Sequence, residues 1–141
     1  MKCLISIAVL CLLMGMSGEA QADNMMRADI IQAVIGEAEG EGSHGMGAVA
    51  YAILNRGTLK GVYGYKAITK RKDGYYRGKR RITDGTVFKA ECAVDFAISH
   101  EDLDITEGAT HWEGTVFKEP YWAKSMVKTV VIGRQAFYRV R

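Results

Sequence analysis

Two runs with helical apolar spacing flank a glycine-rich acidic link, and this arrangement constrains the chain more than any other feature. The first run, residues 27–38, sets Ile30, Ile31, Val34, Ile35 and Ala38 on one face. Asn24 or Asp23 can cap its start, and Gly40 and Gly42 mark its end. The second run extends from Ser43 to Arg56, where Met46, Val49, Ala50, Ile53 and Leu54 fit the apolar stripe of an amphipathic helix and Gly57 closes it. Its small residues Gly45, Gly47, Ala48 and Ala52 allow another element to approach closely.

Downstream the pattern changes. Residues 58–84 read as loop and hairpin, with Asp73-Gly74 as the turn between Ile68-Thr69 and Tyr75-Tyr76. A third helix is predicted over 85–99 through Val87, Ala90, Val94, Ala97 and Ile98. Glu101 to Glu107 is acidic and irregular, Pro120 opens a short helical turn over 121–128, and Ile132 to Val140 reads as a closing strand. Ordinary composition, with one proline and 16 glycines in 141 residues, excludes collagen-like, disordered and low-complexity classes. Neither an internal repeat nor a linker is present, so the expectation is one α+β domain, mainly helical.

The N-terminus has a separate logic. Met1-Lys2 is a short positive start, Cys3 to Gly18 carries no charge, and Ala20-Gln21-Ala22 offers a small-x-small cleavage pattern. The run is shorter than the roughly 20 residues of a spanning helix. Residues 1–22 are therefore predicted to be a cleaved signal peptide, leaving a domain at 23–141 in the periplasm, cell wall or medium, with no stable membrane insertion after cleavage. An uncleaved anchor is the alternative; a lipoprotein signal at Cys11 is disfavoured by Leu10 before it. Cys3 and Cys11 leave with the signal, so Cys92 remains without an internal disulfide partner and is expected to be a small buried apolar residue. No C-x-x-C pair exists to build a zinc ribbon.

Charge is unevenly spread. Residues 58–90 hold ten bases and two acids, a net +8, whereas the rest of 23–141 is net −5. A basic arm on an acidic body points to an anionic partner, although a solvated loop accounts for the same run. Interleaved Tyr63, Tyr65, Tyr75 and Tyr76 superficially resemble a nucleic-acid surface, a reading the export signal opposes; no nucleic-acid partner is expected.

Chemistry concentrates at Glu37-Ala38-Glu39-Gly40-Glu41, three carboxylates at alternate positions where a helix ends. Like charges, the negative pole of a helix and burial against Ile and Val each disfavour an ionised glutamate. A carboxyl kept protonated near neutral pH is what protonation of a glycosidic oxygen requires. Spacing alone favours a solvated acidic turn.

From Val34 to Gly42 and on through Gly45-Met46-Gly47-Ala48-Val49-Ala50-Tyr51-Ala52-Ile53-Leu54-Asn55-Arg56, the chain resembles the SleB/CwlJ cell-wall hydrolase family, whose motif runs E-A-R-G-E and then G-x-x-A-V-A-x-V-x-x-N-R. Gly108-Ala109-Thr110-His111-Trp112, Pro120-Tyr121-Trp122-Ala123 and Ile132 to Tyr138 match further, so the resemblance spans 27–138. It implies a compact lysozyme-like fold related to lytic transglycosylases, with peptidoglycan glycan strands as substrate, no cofactor and a monomeric enzyme. The first glutamate of the motif, taken as the acid, maps to Glu37, with Glu41 as a supporting carboxylate. In that mechanism one carboxyl protonates the bond between N-acetylmuramic acid and N-acetylglucosamine, then accepts the proton of the sugar's own 6-hydroxyl. His111 and Trp112 are candidate sugar-binding residues, with Thr110 beside them and Tyr138. Tyr121, Trp122, Phe137 and Tyr138 also read as core, and Asn55 and Arg56 as ties between the second helix and the site wall.

Two departures stand out. The arginine between the family's glutamates is Glu39 here, and the C-terminal Gly-x-His-x-Phe pattern appears as Gly133-Arg134-Gln135-Ala136-Phe137. Glu39 is expected to raise the proton affinity of its neighbour, and segment 58–84 matches poorly. The alternatives are a zinc amidase, for which His44, His100 and His111 are available without an H-E-x-x-H or similar spacing, and a non-catalytic wall-binding relative, which Glu39 and Gln135 favour among non-enzymes.

Overall fold

A computed structural model of the chain describes residues 25–141. The predicted signal peptide, with Cys3 and Cys11, and the predicted caps Asp23 and Asn24 lie outside the described residues; Met26 occupies the N-cap position without a side-chain hydrogen bond. The first stripe forms α1 (Arg27–Ala38), with Ile30, Ile31, Val34, Ile35 and Ala38 buried as their spacing requires. The second forms α2 (Gly42–Arg56), which Gly57 ends in the left-handed conformation at φ 70°, its N–H donating to the carbonyls of Ile53 and Leu54. Helix α4 (Asp84–Ser99) starts where the Thr83 hydroxyl accepts from the Thr86 N–H.

These three helices share one core. Met46, Val49 and Ile53 of α2 pack with Ile31, Val34 and Ile35 of α1 and Ala90, Val94 and Ala97 of α4, closed by Ile132 and Phe137 from a sheet. Ile98, expected in this stripe, is exposed because the helix turns it away, and Cys92 is exposed too, contrary to the buried placement expected of it. No helix among the described residues is long and apolar enough to cross a membrane.

Between α2 and α4 the chain is more ordered than a loop and hairpin. It forms a short helix, α3 (Tyr63–Ala67), then β1 (Thr69–Arg71), β2 (Gly74–Arg77) and β3 (Arg80–Arg81) in one antiparallel sheet. Arg71 pairs with Gly74, so the turn residues are Lys72-Asp73, one position before the predicted Asp73-Gly74. The C-terminal part departs further from the single closing strand. β4 (His111–Gly114), β5 (Met126–Ile132) and β6 (Gln135–Val140) make a sheet ordered β4-β6-β5, with Gly133-Arg134 at the β5–β6 turn. A 3₁₀ turn, Tyr121–Ser125, is all that forms of the predicted helical turn.

Helix α3 has five residues, too few to persist alone, and α1 holds it. Gln32 donates to the carbonyls of Tyr65 (2.9 Å) and Ile68 (2.8 Å), and the Tyr65 hydroxyl donates to Asp29 (3.0 Å). Where the two helices cross, the backbones of Gly36 and Gly64 touch. A Cβ on Gly64 would sit 2.6 Å from the Glu37 nitrogen and from the Gly36 carbonyl carbon, and one on Gly36 would collide with the Gly64 carbonyl. Because backbone rather than a flexible side chain is struck, Gly36→Ala is expected to cost about 3 kcal/mol. The melting temperature should fall by roughly 10 °C, measurable by calorimetry against the parent protein.

Candidate active site

The Gly36–Gly64 crossing delivers a backbone N–H to the end of α1. The Gly64 N–H donates to Glu37 Oε1 at 2.6 Å, and Trp112 Nε1–H, from β4, donates to Glu37 Oε2 at 3.1 Å. The two oxygens are thus held by donors from opposite walls, which fixes the plane of the carboxyl while leaving each oxygen a further lone pair. A third contact fixes the backbone: Gln135 Nε2–H donates to the Glu37 carbonyl at 3.1 Å. Its Oε1 is buried with no hydrogen-bond partner among the described residues. The Glu37 carbonyl settles which way this amide points, since a flipped amide would oppose two acceptors.

Around Glu37 lies a cleft of about 650 Å³. Its walls include Glu41, Arg56, Tyr63, His111, Trp112, Glu113, Phe117, Trp122, Arg134 and Gln135. Neighbouring residues of the edge strand β4 point to opposite faces of the sheet and both border the cleft: Trp112 turns toward Glu37, and His111 turns toward Trp122, ring centroids 5.4 Å apart. His111 and Trp112 occupy a strand rather than the expected glycine-flanked loop. Burial, followed by the positive charge of Arg56, pushes the His111 pKa down, so the ring is neutral at neutral pH. The Thr110 hydroxyl lies 2.9 Å from its Nδ1.

Thr110 and Tyr138 do not line the cleft. Thr110 pairs its N–H with the Tyr138 carbonyl, and the Tyr138 ring is buried, meeting Trp122 edge-on at 5.2 Å. Phe137 is fully buried and Trp122 partly, whereas Tyr121, also read as core, is 86% exposed. Asn55 and Arg56 do tie α2 to the site wall: Asn55 donates to Asp104 (2.8 Å) and the Ala109 carbonyl (3.0 Å), and Arg56 to the carbonyls of Lys60 (2.8 Å) and Thr110 (3.5 Å). Tyr63, Glu113, Phe117 and Arg134 were not among the predicted site residues. Of these, Arg134 alone lies in a block that carries the family resemblance, at the β5–β6 turn.

The other two glutamates of the acidic link are engaged elsewhere. Glu41, half-buried at the cleft edge, accepts from the Arg134 backbone N–H (3.1 Å) and from Arg134 Nε (3.2 Å). Both its oxygens are therefore committed to the β5–β6 turn. Glu39 turns away to the basic sheet, accepting from Arg80 at 2.7 and 3.0 Å and from Arg77 at 3.1 Å. The Arg80 hydrogen bonds foremost, with Arg77, hold its carboxyl below the usual range against a smaller cost of burial. The expected repulsion on Glu37 is thus answered by two arginines. As for the histidines, His44 is exposed in the first turn of α2 and His100 stacks on Phe96 at the end of α4, so His111 alone of the three faces the cleft.

Two solved structures superpose on this chain. The catalytic domain of the Bacillus cereus SleB protein is 23% identical, with 87% of this chain and 99% of that chain covered and a TM-score of 0.55. The catalytic domain of the germination-specific lytic transglycosylase SleB from Bacillus anthracis is 25% identical, with 87% and 98% covered and a TM-score of 0.52. The fold is that of a SleB catalytic domain. No protein-family model and no curated protein matches the sequence. The structural agreement extends over nearly the whole SleB domains, so the lysozyme-like fold implied by the sequence resemblance is the observed one.

Glu39 offers a direct check on the site's electrostatics. Its folded pKa is depressed, so its ion pairs stabilise fully above the unfolded value near ~4.3 and are lost as pH falls through the folded value. Glu39→Gln should therefore be less stable than the parent at pH 7, by up to about 1 kcal/mol given the partly exposed arginines. The two melting temperatures should converge as pH falls from the unfolded value through the lower folded one, as followed by circular dichroism.

Proposed function

We propose that this protein cleaves the glycan strand of peptidoglycan between N-acetylmuramic acid and N-acetylglucosamine, as a lytic transglycosylase with Glu37 as its single acid and base. The observation that carries this reading is the Glu37 carboxyl, held in an open cleft by donors from both walls. The SleB structures support it, one of them being a lytic transglycosylase.

Glu37 in its protonated form gives its proton to the glycosidic oxygen as the bond to C1 of the muramic sugar breaks. The same carboxylate then takes the proton of that sugar's 6-hydroxyl as the oxygen closes on C1, leaving an anhydro ring and a regenerated acid. No second carboxylate nucleophile is needed, in contrast to two-carboxylate glycosidases. Glu41 suits a positioning role, since Arg134 occupies both its oxygens. Neutral His111, the Trp112 ring and Trp122 offer uncharged polar and aromatic surface to sugar hydroxyls and ring faces.

The deciding experiment is mass spectrometry of purified peptidoglycan after digestion with the parent protein and with Glu37→Gln. Anhydro-muramic ends that disappear in a folded Gln variant are the expected result, with activity reduced by at least ~10³-fold. Reducing ends would mean hydrolysis, free stem peptides would mean amidase activity, and a fully active Gln variant would remove Glu37 from the mechanism.

The basic sheet adds a long-range element. Arg77, Arg80 and Arg81 are paired with carboxylates, while Lys70, Arg71, Lys72 and Lys79 have no carboxylate partner among the described residues. Lys70 and Arg71 are laid over the rings of Tyr75 and Tyr76, at 5.7 and 4.3 Å from their centroids. These exposed cations draw the enzyme toward an anionic wall. Activity on whole sacculi should fall as ionic strength rises past ~0.1 M, where screening acts within about 10 Å; a salt-independent initial rate would exclude the sheet from substrate capture.

A further inference from the structure

Two aromatic rings that the mechanism does not use stand exposed in the cleft walls. Tyr63 is 82% exposed and Phe117 67% exposed, and both line the cleft. Large rings left in water at a concave site, with apolar surface that folding did not bury, mark a place where a ligand supplies the missing contact.

Their positions relative to Glu37 give them meaning. Tyr63 immediately precedes Gly64, whose N–H holds Glu37 Oε1, so the ring stands on the α3 wall. Phe117 follows β4, whose Trp112 holds Glu37 Oε2; its N–H donates to the Gly114 carbonyl (3.1 Å) and its ring edge lies 3.0 Å from where a Cβ on Gly114 would be. Glycine at 114 is thus what lets the ring lie down against the strand. The reacting carboxyl is bridged between the two walls, and each wall carries one exposed ring.

We propose that Tyr63 and Phe117 are stacking platforms for sugar residues on opposite sides of the bond that Glu37 cleaves. This rests on the activity proposed above and deepens it: an enzyme that grips the strand on both sides cuts within long strands rather than trimming disaccharides from an end. The C–H face of a pyranose, slightly positive, stacks on the negative face of an aromatic ring. Stacking of this kind holds substrate and transition state alike, so its loss appears in KM rather than in kcat.

The test compares Tyr63→Ala, Phe117→Ala and Tyr63→Phe on purified glycan strands of graded length. Each alanine variant should raise KM on long strands by about tenfold with kcat within about twofold, while Tyr63→Phe, which keeps the ring, behaves as the parent. Early products of the parent should be long fragments. Both side chains are exposed, so unchanged melting temperatures check that the variants are folded. The same substitutions in the Glu37→Gln background read binding alone, by co-sedimentation with insoluble peptidoglycan, where retention should drop with either alanine. Alanine variants with parental KM and parental retention, or early products consisting of disaccharides, overturn the platforms. A parent protein inert on every strand while its Gln variant still sediments through Tyr63 and Phe117 would count against the reaction and leave the platforms standing.

Discussion

The contact between the backbones of Gly36 and Gly64 is the constraint on which the site depends. With no Cβ on either residue, α3 lies against α1 closely enough for one N–H of the short helix to reach the carboxyl that follows Gly36 in sequence. Any larger residue at either position would part the helices, and the hydrogen bond at 2.6 Å would be lost along with the wall that carries Tyr63. The hydrogen bonds of Gln32 and Asp29 keep α3 from peeling away, so a five-residue helix behaves as part of the α1 scaffold. Local backbone packing, rather than a large cavity in the core, sets the geometry of the Glu37 carboxyl.

A second consequence concerns the three alternating glutamates. Spacing alone treats them as equivalent, yet the fold gives each a different environment. Glu39 is taken by arginines of the β1–β3 sheet, Glu41 by the β5–β6 turn, and Glu37 is left facing the cleft with two neutral donors. Charge that would otherwise accumulate at the negative end of α1 is thus dispersed onto partners from two distant parts of the chain. Arg77 reinforces this by also donating to the Gly36 carbonyl at 3.0 Å, one of the acceptors that the end of α1 leaves unpaired.

How much of this was legible in the sequence follows from physical range. The stripes of α1 and α2, the Gly57 stop and the acidic link are local patterns of adequate length, and the structure repeats them nearly residue for residue. Helix α3 was not legible because Tyr63–Ala67 has no periodicity and owes its form to contacts 27 to 36 residues away. The closing strand split in two because Gly133, at φ 59°, turns the chain inside a run whose apolar content looks continuous. Phe117 carries no local signal and Tyr63 reads in the sequence only as one of the tyrosines of the basic segment; the tertiary structure alone reveals that both rings stay in water at the cleft.

One departure from the SleB/CwlJ pattern and the poorly matching segment are related through one interaction. Glu39 stands where the family has an arginine, and segment 58–84 is where the chain matches the family least. In the structure these are partners, because Arg77 and Arg80 of that segment bind Glu39. A reversal of charge near Glu37 is therefore compensated by a basic sheet brought onto the end of α1. An arginine at 39 would meet two arginines there, so residue 39 and the sheet act as one unit. The same ion pairs dock the sheet at Glu39, three residues beyond Gly36, so the exposed cations Lys70, Arg71, Lys72 and Lys79 are carried on the scaffold that holds Glu37 rather than on a separate arm.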